Sequence, residues 1–570
     1  MCISLITMCY KLSRSLIPDN SEPIKLIMKK RTLHLSRIPL KELLVWCNKK
    51  IVLHMGLVFL TFSIVQLNAQ TNGPLKIHPN NASCFADASG KAVIVGGTHT
   101  WNSLQDNGTW GNPIFNFDKY LTMLTSSNTN FIRMWSFQEN GPGDSDWYPT
   151  WYLKSGNKYD LTKFNPEFFI RLRNRCIAAR DKGIYVSLCL FWGYPTYALD
   201  GYTYSYYNIN NNINGVDGHS PLGSQSLDYP ACVTAEENYI KRVIDEINDL
   251  DNVMFEIANE AGDTKAWQYH MVNVIHDYEK TKAKQHLVFI SAFQNSNQDV
   301  DFYQGPNDAA IPWDGTPDNP RINPFTRPTI LDSDHTTAGN CTPLQAWKAF
   351  LRGMFPIQMD VPGAALFEVG TYAPKATDYA MGDIIRVGTK IDRSKMYPRN
   401  GSSNTSYCLK AEDGLSFVVL KPGGGSFTVD MNQSSGKVFK TEWYSLNSRT
   451  FTAGSDVTGG SSSQSFAPPF SGDAVLILNS NVACAATAGN GSPGSFRLIR
   501  TSRDLHVAFE QPTSWRMSLH SLDGKEMIGA AGDSRSAALP IGRIAKGTYI
   551  ARIRTASGIV SERIAIVAGK

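Results

Sequence analysis

The chain has 570 residues, of which 42% are hydrophobic, 11% aromatic and 18% charged, with 45 Gly and 29 Pro spread without a period. This composition excludes a coiled coil, a fibrous repeat and a mainly disordered chain. The formal net charge of +5 arises within residues 1–69, and the rest carries 45 Lys and Arg against 47 Asp and Glu, so we expect no nucleic-acid partner.

Residues 1–69 are predicted to be a leader. Ile51–Leu67 is the most apolar segment of the chain, Lys49 and Lys50 precede it, and the small residue Ala69 follows it. A basic region, an apolar run and a small residue at the break are typical of a cleaved secretory signal peptide. A single membrane anchor is the alternative, since the run approaches the length of a short span.

Residues 70–399 alternate short apolar runs with amphipathic stretches, which indicates repeated strand–helix units. We therefore expect an α/β fold, a (β/α)8 TIM barrel. A doubly wound sheet, the alternative, would need a glycine-rich turn that Val95–His99 does not provide. The predicted strands are Ala92–Gly96, Phe131–Trp135, Ile184–Phe191, Val253–Ala258, Leu287–Ser291, Ala309–Trp313 (the weakest), Pro328–Leu331 and Pro356–Met359; the predicted helices include Pro166–Lys182, Ala235–Leu250, Thr264–Lys282 and Pro343–Met354.

The pattern changes after residue 399, and two small all-β sandwich domains are predicted to follow the barrel. Residues 400–484 alternate with period two, as in Phe417–Leu420, and form the first of them. Residues 485–495 are poor in large side chains and are predicted to be a linker. Residues 496–570 are again predicted to form short strands, with a hairpin at Leu522–Lys525.

The working groups of a TIM barrel lie at the carboxyl ends of its strands. The side chains at these ends combine carboxylates, an arginine, histidines and aromatic rings, which suits a sugar with apolar ring faces and many hydroxyls. Tyr202–Tyr207 and the Asn-rich Asn208–Asn214 are predicted to add a lid or substrate wall at this end. The strand-end residues are His99, Trp101, Arg133, Trp135, Trp192, Tyr194, Asn259, Glu260, Trp313, Asp332, Asp334 and His335.

Glu260 is the sharpest single signal, because it ends a buried run with an Asn-Glu pair. A general acid needs a carboxyl that is held in place and partly desolvated, so that its pKa rises. Glu256 lies on the same face of the strand, deeper in the barrel, and is predicted to be a buried, paired carboxylate of structural role. The rings of Trp101, Trp135, Trp192, Tyr194 and Trp313 are candidate platforms for sugar rings, with core packing as the alternative.

The motifs Ile132–Trp135 and Asn259-Glu260, the latter ending the fourth strand, resemble clan A glycoside hydrolases, retaining enzymes related to the family 5 cellulases and mannanases. Phe85–Lys91 and Thr98–Trp101 also resemble the apiosidase-like and collagen-binding-domain hydrolases of Bacteroidetes. The resemblance covers roughly residues 76–480. It implies a carbohydrate substrate and a location outside a bacterial cell, secreted or at its surface.

The same resemblance implies roles for individual residues. Glu260 matches the acid/base, Asn259 the amide before it, and Arg133 the arginine that binds the nucleophile. The nucleophile is expected on the seventh strand, where this chain offers Asp332 and Asp334; we prefer Asp334, with Asp332 and Glu368 as alternatives. In a retaining enzyme, carboxyl oxygens of Asp334 and Glu260 should lie about 5–6 Å apart.

The last module, with Lys546–Arg552 near its end, resembles the sorting domain that the type IX secretion system of Bacteroidetes recognises. This resemblance implies that the secretion machinery is a partner of the chain. An accessory sandwich is the alternative.

The sequence thus predicts a secreted glycoside hydrolase that cleaves a polysaccharide or oligosaccharide by a retaining mechanism, without a cofactor or a metal. A glycan-binding surface protein without catalytic activity is one alternative. A metal-dependent barrel hydrolase is another, in which His99, Asp332, Asp334 and His335 would be the ligands.

Overall fold

A computed structural model describes residues 71–566 of the chain, with gaps at 108–114, 139–146, 198, 298, 314, 337–340, 360–371, 481–495, 501–503, 522–524, 542–543, 546 and 556–557. The predicted leader and the predicted linker at 485–495 lie outside the described residues. The described chain divides into two compact units. The first contains the barrel and most strands of the following module, and the second contains the C-terminal strands.

Eight parallel strands form the barrel. In the sheet they follow the order β6, β5, β4, β3, β2, β1, β8, β7, and a parallel bridge from Ala310 to Thr329 joins β6 to the start of β7. The sheet therefore closes, which confirms the predicted (β/α)8 TIM barrel. The strands are β1 (Gly97–Thr100), β2 (Phe131–Trp135), β3 (Tyr185–Trp192), β4 (Val253–Asn259), β5 (Val288–Ser291), β6 (Ala309–Ile311), β7 (Ile330–Asp332) and β8 (Phe355–Met359).

The helices begin where proline and capping residues place them. Pro166, Pro230 and Pro343 each stand in the first turn of a helix, where the missing N–H costs no hydrogen bond. Thr342 and Gln345 add a capping box. None of the described helices is long and apolar enough to cross a membrane. The helices are Phe117–Ser126, Pro166–Arg180, Leu199–Tyr204, Pro230–Ile247, Lys265–Glu279, Pro343–Leu351 and Ala376–Gly388.

The first barrel strand is not the predicted one. Ala92–Val93 instead pairs antiparallel with Phe85–Ala86, in a small sheet that also contains Lys76–His78. The barrel strand is β1, which carries buried polar side chains and therefore lacks an apolar signature. Gly97 is needed there, because a Cβ atom at this position would lie 1.8 Å from the carbonyl oxygen of Phe131 on β2.

The aromatic segment Tyr202–Tyr207 is packed into the core, which contradicts its prediction as a surface wall. Tyr206 and Tyr207 are fully buried, and the Tyr206 ring lies 5.6 Å from that of Trp151. The Asn-rich segment is ordered by Asn212, whose amide nitrogen donates to the carbonyls of Tyr206, Asn208 and Val216. Side-chain amides thus replace the hydrogen bonds that a regular element would supply.

In the first unit, β strands pack on the barrel through two helices. Trp347 of helix Pro343–Leu351 lies 5.5 Å from the Tyr444 ring. Asp383 of helix Ala376–Gly388 accepts hydrogen bonds from the Tyr444 hydroxyl and from Arg449. The strands of this module are Met396–Pro398, Cys408–Ala411, Ser416–Lys421, Phe427–Asp430, Val438–Ser445, Thr450–Ala453, Val457–Thr458, Ser463–Phe466 and Ala474–Asn479.

The C-terminal sheet is antiparallel throughout. Strand Asp504–His520 pairs with Glu526–Pro540, and their ends meet at His520 and Glu526, where the hairpin is predicted. Met517, Leu519 and Tyr549 belong to its own buried core. The other strands are Phe496–Arg500, Gly547–Thr555 and Gly558–Ile566.

Candidate active site

A buried guanidinium, that of Arg133 on β2, links three strands at the carboxyl end of the barrel. Its Nε and Nη2 atoms donate to the two carboxylate oxygens of Glu256 on β4, at 2.9 and 2.5 Å. Nη2 also donates to Asn259 Oδ1 at 2.7 Å, and Nη1 donates to Asp332 at the end of β7. Because all four side chains are fully buried, the cation and the carboxylates must compensate one another. Glu256 is thus the buried, paired carboxylate predicted from the sequence.

His99 of β1 lies between the two aspartates that follow β7. Its Nε2 atom is 3.0 Å from Asp332 Oδ1 and 3.4 Å from Asp334 Oδ1, and its ring stacks on Trp135 at 5.5 Å. Burial by itself would lower the pKa of His99, but the two carboxylates raise this pKa to about 9. The imidazole therefore carries a positive charge at neutral pH and holds Asp332 and Asp334 together.

Asp332 is ionised for the same reason. Its burial would raise its pKa, yet the charges of His99 and Arg133 hold the pKa well below its usual range. A 3-10 turn, Ser333–His335, follows directly, and the Asp332 side chain accepts a hydrogen bond from the Asp334 backbone N–H at its start. The strand ends at Asp332, so the alternation of strand faces does not carry on to Asp334.

Glu260 follows β4 with a left-handed backbone conformation, φ +48°. This conformation is uncommon for a residue with a long side chain and costs about 1 kcal/mol or more. Gly193 helps to fix it: the Gly193 N–H donates to the Asn259 carbonyl at 2.8 Å, and a Cβ atom on Gly193 would lie 2.3 Å from Ala261. The strained turn places the Glu260 side chain at the carboxyl end of the barrel, which we call the rim.

The electrostatic surroundings of Glu260 favour its protonated form. Burial raises the pKa of this carboxyl, the nearby His335 counteracts the rise, and Asp334 adds to it. The side chain remains 31% exposed, so a ligand can reach it. One of its oxygens and one of the Asp334 oxygens lie within 4.8 Å of each other.

Asn259 and His335 complete the rim between Glu260 and Asp332. Asn259 Oδ1 accepts from Arg133, which fixes the amide orientation, and His335 Nε2 lies 3.2 Å from the same oxygen. His335 must therefore carry a proton on Nε2. Asn259 Nδ2 is buried without a hydrogen-bond partner among the described residues, so it can donate to a ligand hydroxyl.

Two groups of side chains at the rim have the spacing of metal ligands, namely His99 with Asp332 and Asp334, and His335 with Glu260 and Asp334. In the first, Asp332 accepts hydrogen bonds from Arg133 and from the Asp334 N–H and lies 3.0 Å from His99 Nε2, contacts that a cation would have to displace. In the second, the Nε2 atom of His335 carries a proton. The charges present thus favour a carboxylate pair over the alternative of a metal centre.

The predicted aromatic residues separate into two groups. Trp135 is 2% exposed and packs beneath His99 and the Arg133 guanidinium, which lies 5.4 Å from its ring, so it supports the site from inside. Trp101, Trp192 and Tyr194 are partly exposed, with Trp192 and Tyr194 stacked at 5.0 Å. Trp313 is 45% exposed and stacks on His335 at 5.8 Å.

A cleft of about 450 Å³ opens beside Glu260. Burial and then the charge of Glu260 raise the pKa of Tyr197 to about 12, so the Tyr197 hydroxyl stays protonated at neutral pH. The lining residues are Tyr197, Glu260, Ala261, Ala292, Phe293, Gln294 and Trp313. Sequence reasoning missed Tyr197, Phe293 and Gln294, although the strand-end rule applied to β5 would have found the last two.

One contact expected from the sequence is not formed. Arg133 was expected to bind the preferred nucleophile Asp334, but it binds Asp332, and Asp334 is held by His99 instead. The turn after β7 is the reason, because it lifts Asp334 out of the strand and toward Glu260. Glu368, the remaining alternative, lies outside the described residues.

No family model matches the chain, and no curated protein matches it either. Among solved structures, the chain is similar to a family 5 glycoside hydrolase from Bacteroides vulgatus, with 13% identity, a TM-score of 0.52, and coverage of 74% of this chain and 97% of the other. A family 5 mannosidase from Rhizomucor miehei covers 56% of this chain and 99% of its own length, with 12% identity and a TM-score of 0.37. A GH30 endoxylanase from Clostridium papyrosolvens has 12% identity and a TM-score of 0.37, and the match covers 71% of this chain and 99% of the endoxylanase. At 13% identity, the similarity to the Bacteroides vulgatus structure shows that the two chains share a fold.

The charge on His99 makes a testable contribution to stability. The pKa of His99 in the folded protein, about 9, lies above the ordinary histidine value of 6.5, so the contribution is fully present below pH 6.5 and is lost as the pH rises through 9. We expect His99→Gln to lower the free energy of unfolding by about 3 kcal/mol at pH 6 and by much less at pH 10. Urea unfolding at both pH values measures the difference.

His219→Gln is the matched control for this experiment, because His219 is a largely exposed histidine that also pairs with an aspartate. It should change the free energy of unfolding by about 0.5 kcal/mol or less at either pH. An equal loss at pH 6 and pH 10 for His99→Gln would show that His99 is uncharged in the folded protein.

Proposed function

We propose that the protein is a glycoside hydrolase that cleaves an O-glycosidic bond with retention of configuration. The observation that carries the proposal is the pair Glu260 and Asp334, whose nearest oxygens lie within 4.8 Å. Retaining enzymes hold their two carboxyl groups about 5–5.5 Å apart, whereas inverting enzymes leave about 6.5–9.5 Å for a water molecule. The short separation of these two oxygens supports the double displacement.

In the first step, Glu260 donates its proton to the leaving-group oxygen while a carboxylate oxygen of Asp334 attacks the anomeric carbon. The raised pKa of Glu260 suits an acid that keeps its proton near neutral pH. The bond from the anomeric carbon to the leaving group breaks, and a glycosyl ester of Asp334 forms. The departing alcohol carries the proton that Glu260 has lost.

In the second step, water attacks the anomeric carbon of this ester. Glu260, now ionised, accepts the proton of the water, and the Asp334 carboxylate is released. His99 lies 3.4 Å from Asp334 and stabilises this carboxylate as a leaving group by its positive charge. Both side chains then return to their starting protonation states.

The remaining residues of the rim hold the sugar and the charges. The free Asn259 Nδ2 is suited to bind a sugar hydroxyl, and Trp101 and Trp192 offer partly exposed rings beside it. Arg133 and Asp332 are fully buried, so we assign them to positioning, with Arg133 fixing Asn259 and Asp332 fixing His99. The substrate class that follows is a carbohydrate glycoside.

The role of Glu260 is tested by Glu260→Gln. We expect kcat to fall about 10²–10⁴-fold for glycosides with poor leaving groups, and much less for activated aryl glycosides that need no protonation. The fall of kcat/KM at high pH should also disappear, because it reports the raised pKa of Glu260. Rates on matched aryl glycosides of graded leaving-group pKa measure both effects.

Glu237→Gln is the control for this variant, since Glu237 is a carboxylate on a surface helix that pairs with Lys241 and His270. It should leave rates and pH profile unchanged. If Glu260→Gln lowered kcat equally for glycosides with good and with poor leaving groups, the acid/base assignment would be contradicted. No activity of wild-type protein on any glycoside would favour a glycan-binding protein without catalytic activity.

The role of Asp334 is tested by Asp334→Gly with added azide. Azide should occupy the space of the missing carboxylate and yield a glycosyl azide of inverted configuration, detected by NMR, with partial recovery of rate. Asp332→Gly should show no rescue, because Asp332 is buried behind His99. Rescue of Asp332→Gly or Glu368→Gly in place of Asp334→Gly would move the nucleophile to that residue.

We also propose that the protein is exported by its leader and that residues 496–570 are read by the secretion machinery. The basic pair Lys49 and Lys50 before the apolar run Ile51–Leu67 supports export. N-terminal sequencing of exported protein should find Gln70 as the first residue. Deletion of residues 496–570 should leave active enzyme in the periplasm, whereas an intact leader on the mature protein would indicate an anchored form.

A further inference from the structure

The side from which the leaving group departs can be located, and this step rests on the proposed function. The general acid protonates the leaving-group oxygen, so the leaving group must lie on the Glu260 side of the bond. Glu260 lines the 450 Å³ cleft, while Asp334, His99 and Arg133 do not. The cleft is therefore the place into which the leaving group extends, away from the contacts of the nucleophile.

The floor and walls of this cleft are apolar. Ala261, Ala292 and Phe293 are 0%, 1% and 7% exposed and form the floor. A parallel bridge between Ala261 and Phe293 extends the pairing of β4 and β5 and holds this floor in place. Tyr197 and Trp313, 44% and 45% exposed, present ring surface above it. Among the described lining residues, only Glu260 itself and Gln294 have fully polar side chains.

The side chains around Asp332 and Asn259 have the reverse character. Asn259 Nδ2, His335 Nδ1 and His99 Nδ1 are buried there without hydrogen-bond partners among the described residues. A buried polar atom without a hydrogen bond costs free energy, and the hydroxyls of a bound sugar would supply the missing hydrogen bonds. The sugar that is attacked therefore fits beside these polar groups, and the described residues that line the cleft offer no equivalent set for a second sugar.

We propose that the cleft binds an apolar leaving group, an aromatic or long alkyl alcohol in glycosidic linkage, and not a second sugar. A second sugar would bring several hydroxyls to a surface where Gln294 is the one described amide. An aromatic or alkyl group instead removes apolar surface from water and can stack on Trp313. This narrows the substrate from the polysaccharide or oligosaccharide expected from the sequence to an apolar glycoside.

The test compares three substrates that share the sugar found in an initial screen of activated aryl glycosides: the methyl glycoside, the 2-phenylethyl glycoside and a disaccharide. Phenylethanol and methanol are poorer leaving groups than a sugar hydroxyl, so faster cleavage of the phenylethyl glycoside must come from binding in the cleft. We expect its kcat/KM to exceed that of the disaccharide by about tenfold or more. A disaccharide value equal to or above it would overturn the proposal.

Two variants of Trp313 connect this preference to the cleft. Trp313→Ala should lower kcat/KM for the phenylethyl glycoside about tenfold and for the methyl glycoside by less than about twofold. Trp313→Phe retains a ring against His335 and should recover most of the loss. Ile170→Ala, a change of a 56% exposed apolar residue on helix Pro166–Arg180 that does not line the cleft, is the control and should leave the phenylethyl value within about twofold. Equal losses of Trp313→Ala on both glycosides would contradict the assignment.

Failure of the proposed function is distinguished by a binding measurement that needs no turnover. Ligand-observed NMR with 2-phenylethanol should show binding to the wild-type protein and its loss in Trp313→Ala. If no glycoside is hydrolysed but this binding is found, the catalytic proposal fails and the apolar cleft stands. If 2-phenylethanol does not bind, the proposal of an apolar leaving group is overturned, whatever the activity on other glycosides.

Discussion

The buried guanidinium of Arg133 is the interaction on which the rest of the site depends. It joins β2 to Glu256 and Asn259 on β4 and to Asp332 at the end of β7. Removing it would leave the buried carboxylate of Glu256 uncompensated and Asp332 paired with His99 alone, at a cost of about 3–5 kcal/mol. The same cation fixes the orientation of the Asn259 amide, so the free Nδ2 atom of this amide faces the rim. Stability and ligand binding thus rest on one side chain.

Charge is distributed so that neighbouring carboxylates differ in protonation. Asp332 lies between Arg133 and His99, two cations, and is ionised in spite of its burial. The pKa of Glu260 is raised by burial and by the negative charge of Asp334, which outweigh the opposing charges of His335 and Arg133. Environment, and not residue type, therefore separates a carboxylate that stays charged from a carboxyl that can donate a proton.

Two groups of side chains near Glu260 differ in polarity. In one group, Asn259, His335 and His99 leave polar atoms unsatisfied, and in the other, Phe293 and Trp313 leave apolar surface open. All five residues lie on barrel strands or within a few residues after them. A ligand with a polar and an apolar half matches these two groups.

The sequence by itself determined the barrel, because alternating apolar runs and amphipathic helices can bury their faces together only in layers of strand and helix. It also located Glu260 at a strand end and Glu256 behind it, since the period of a strand fixes which side chains share a face. Only the tertiary structure shows where β1 lies, because its buried polar side chains give no apolar pattern. Gly97 is needed there because β2 approaches it too closely for a Cβ atom. The tertiary structure alone decided that Arg133 binds Asp332 and that Asp334 turns toward Glu260, because these pairings join strands far apart in the chain and depend on a turn of three residues.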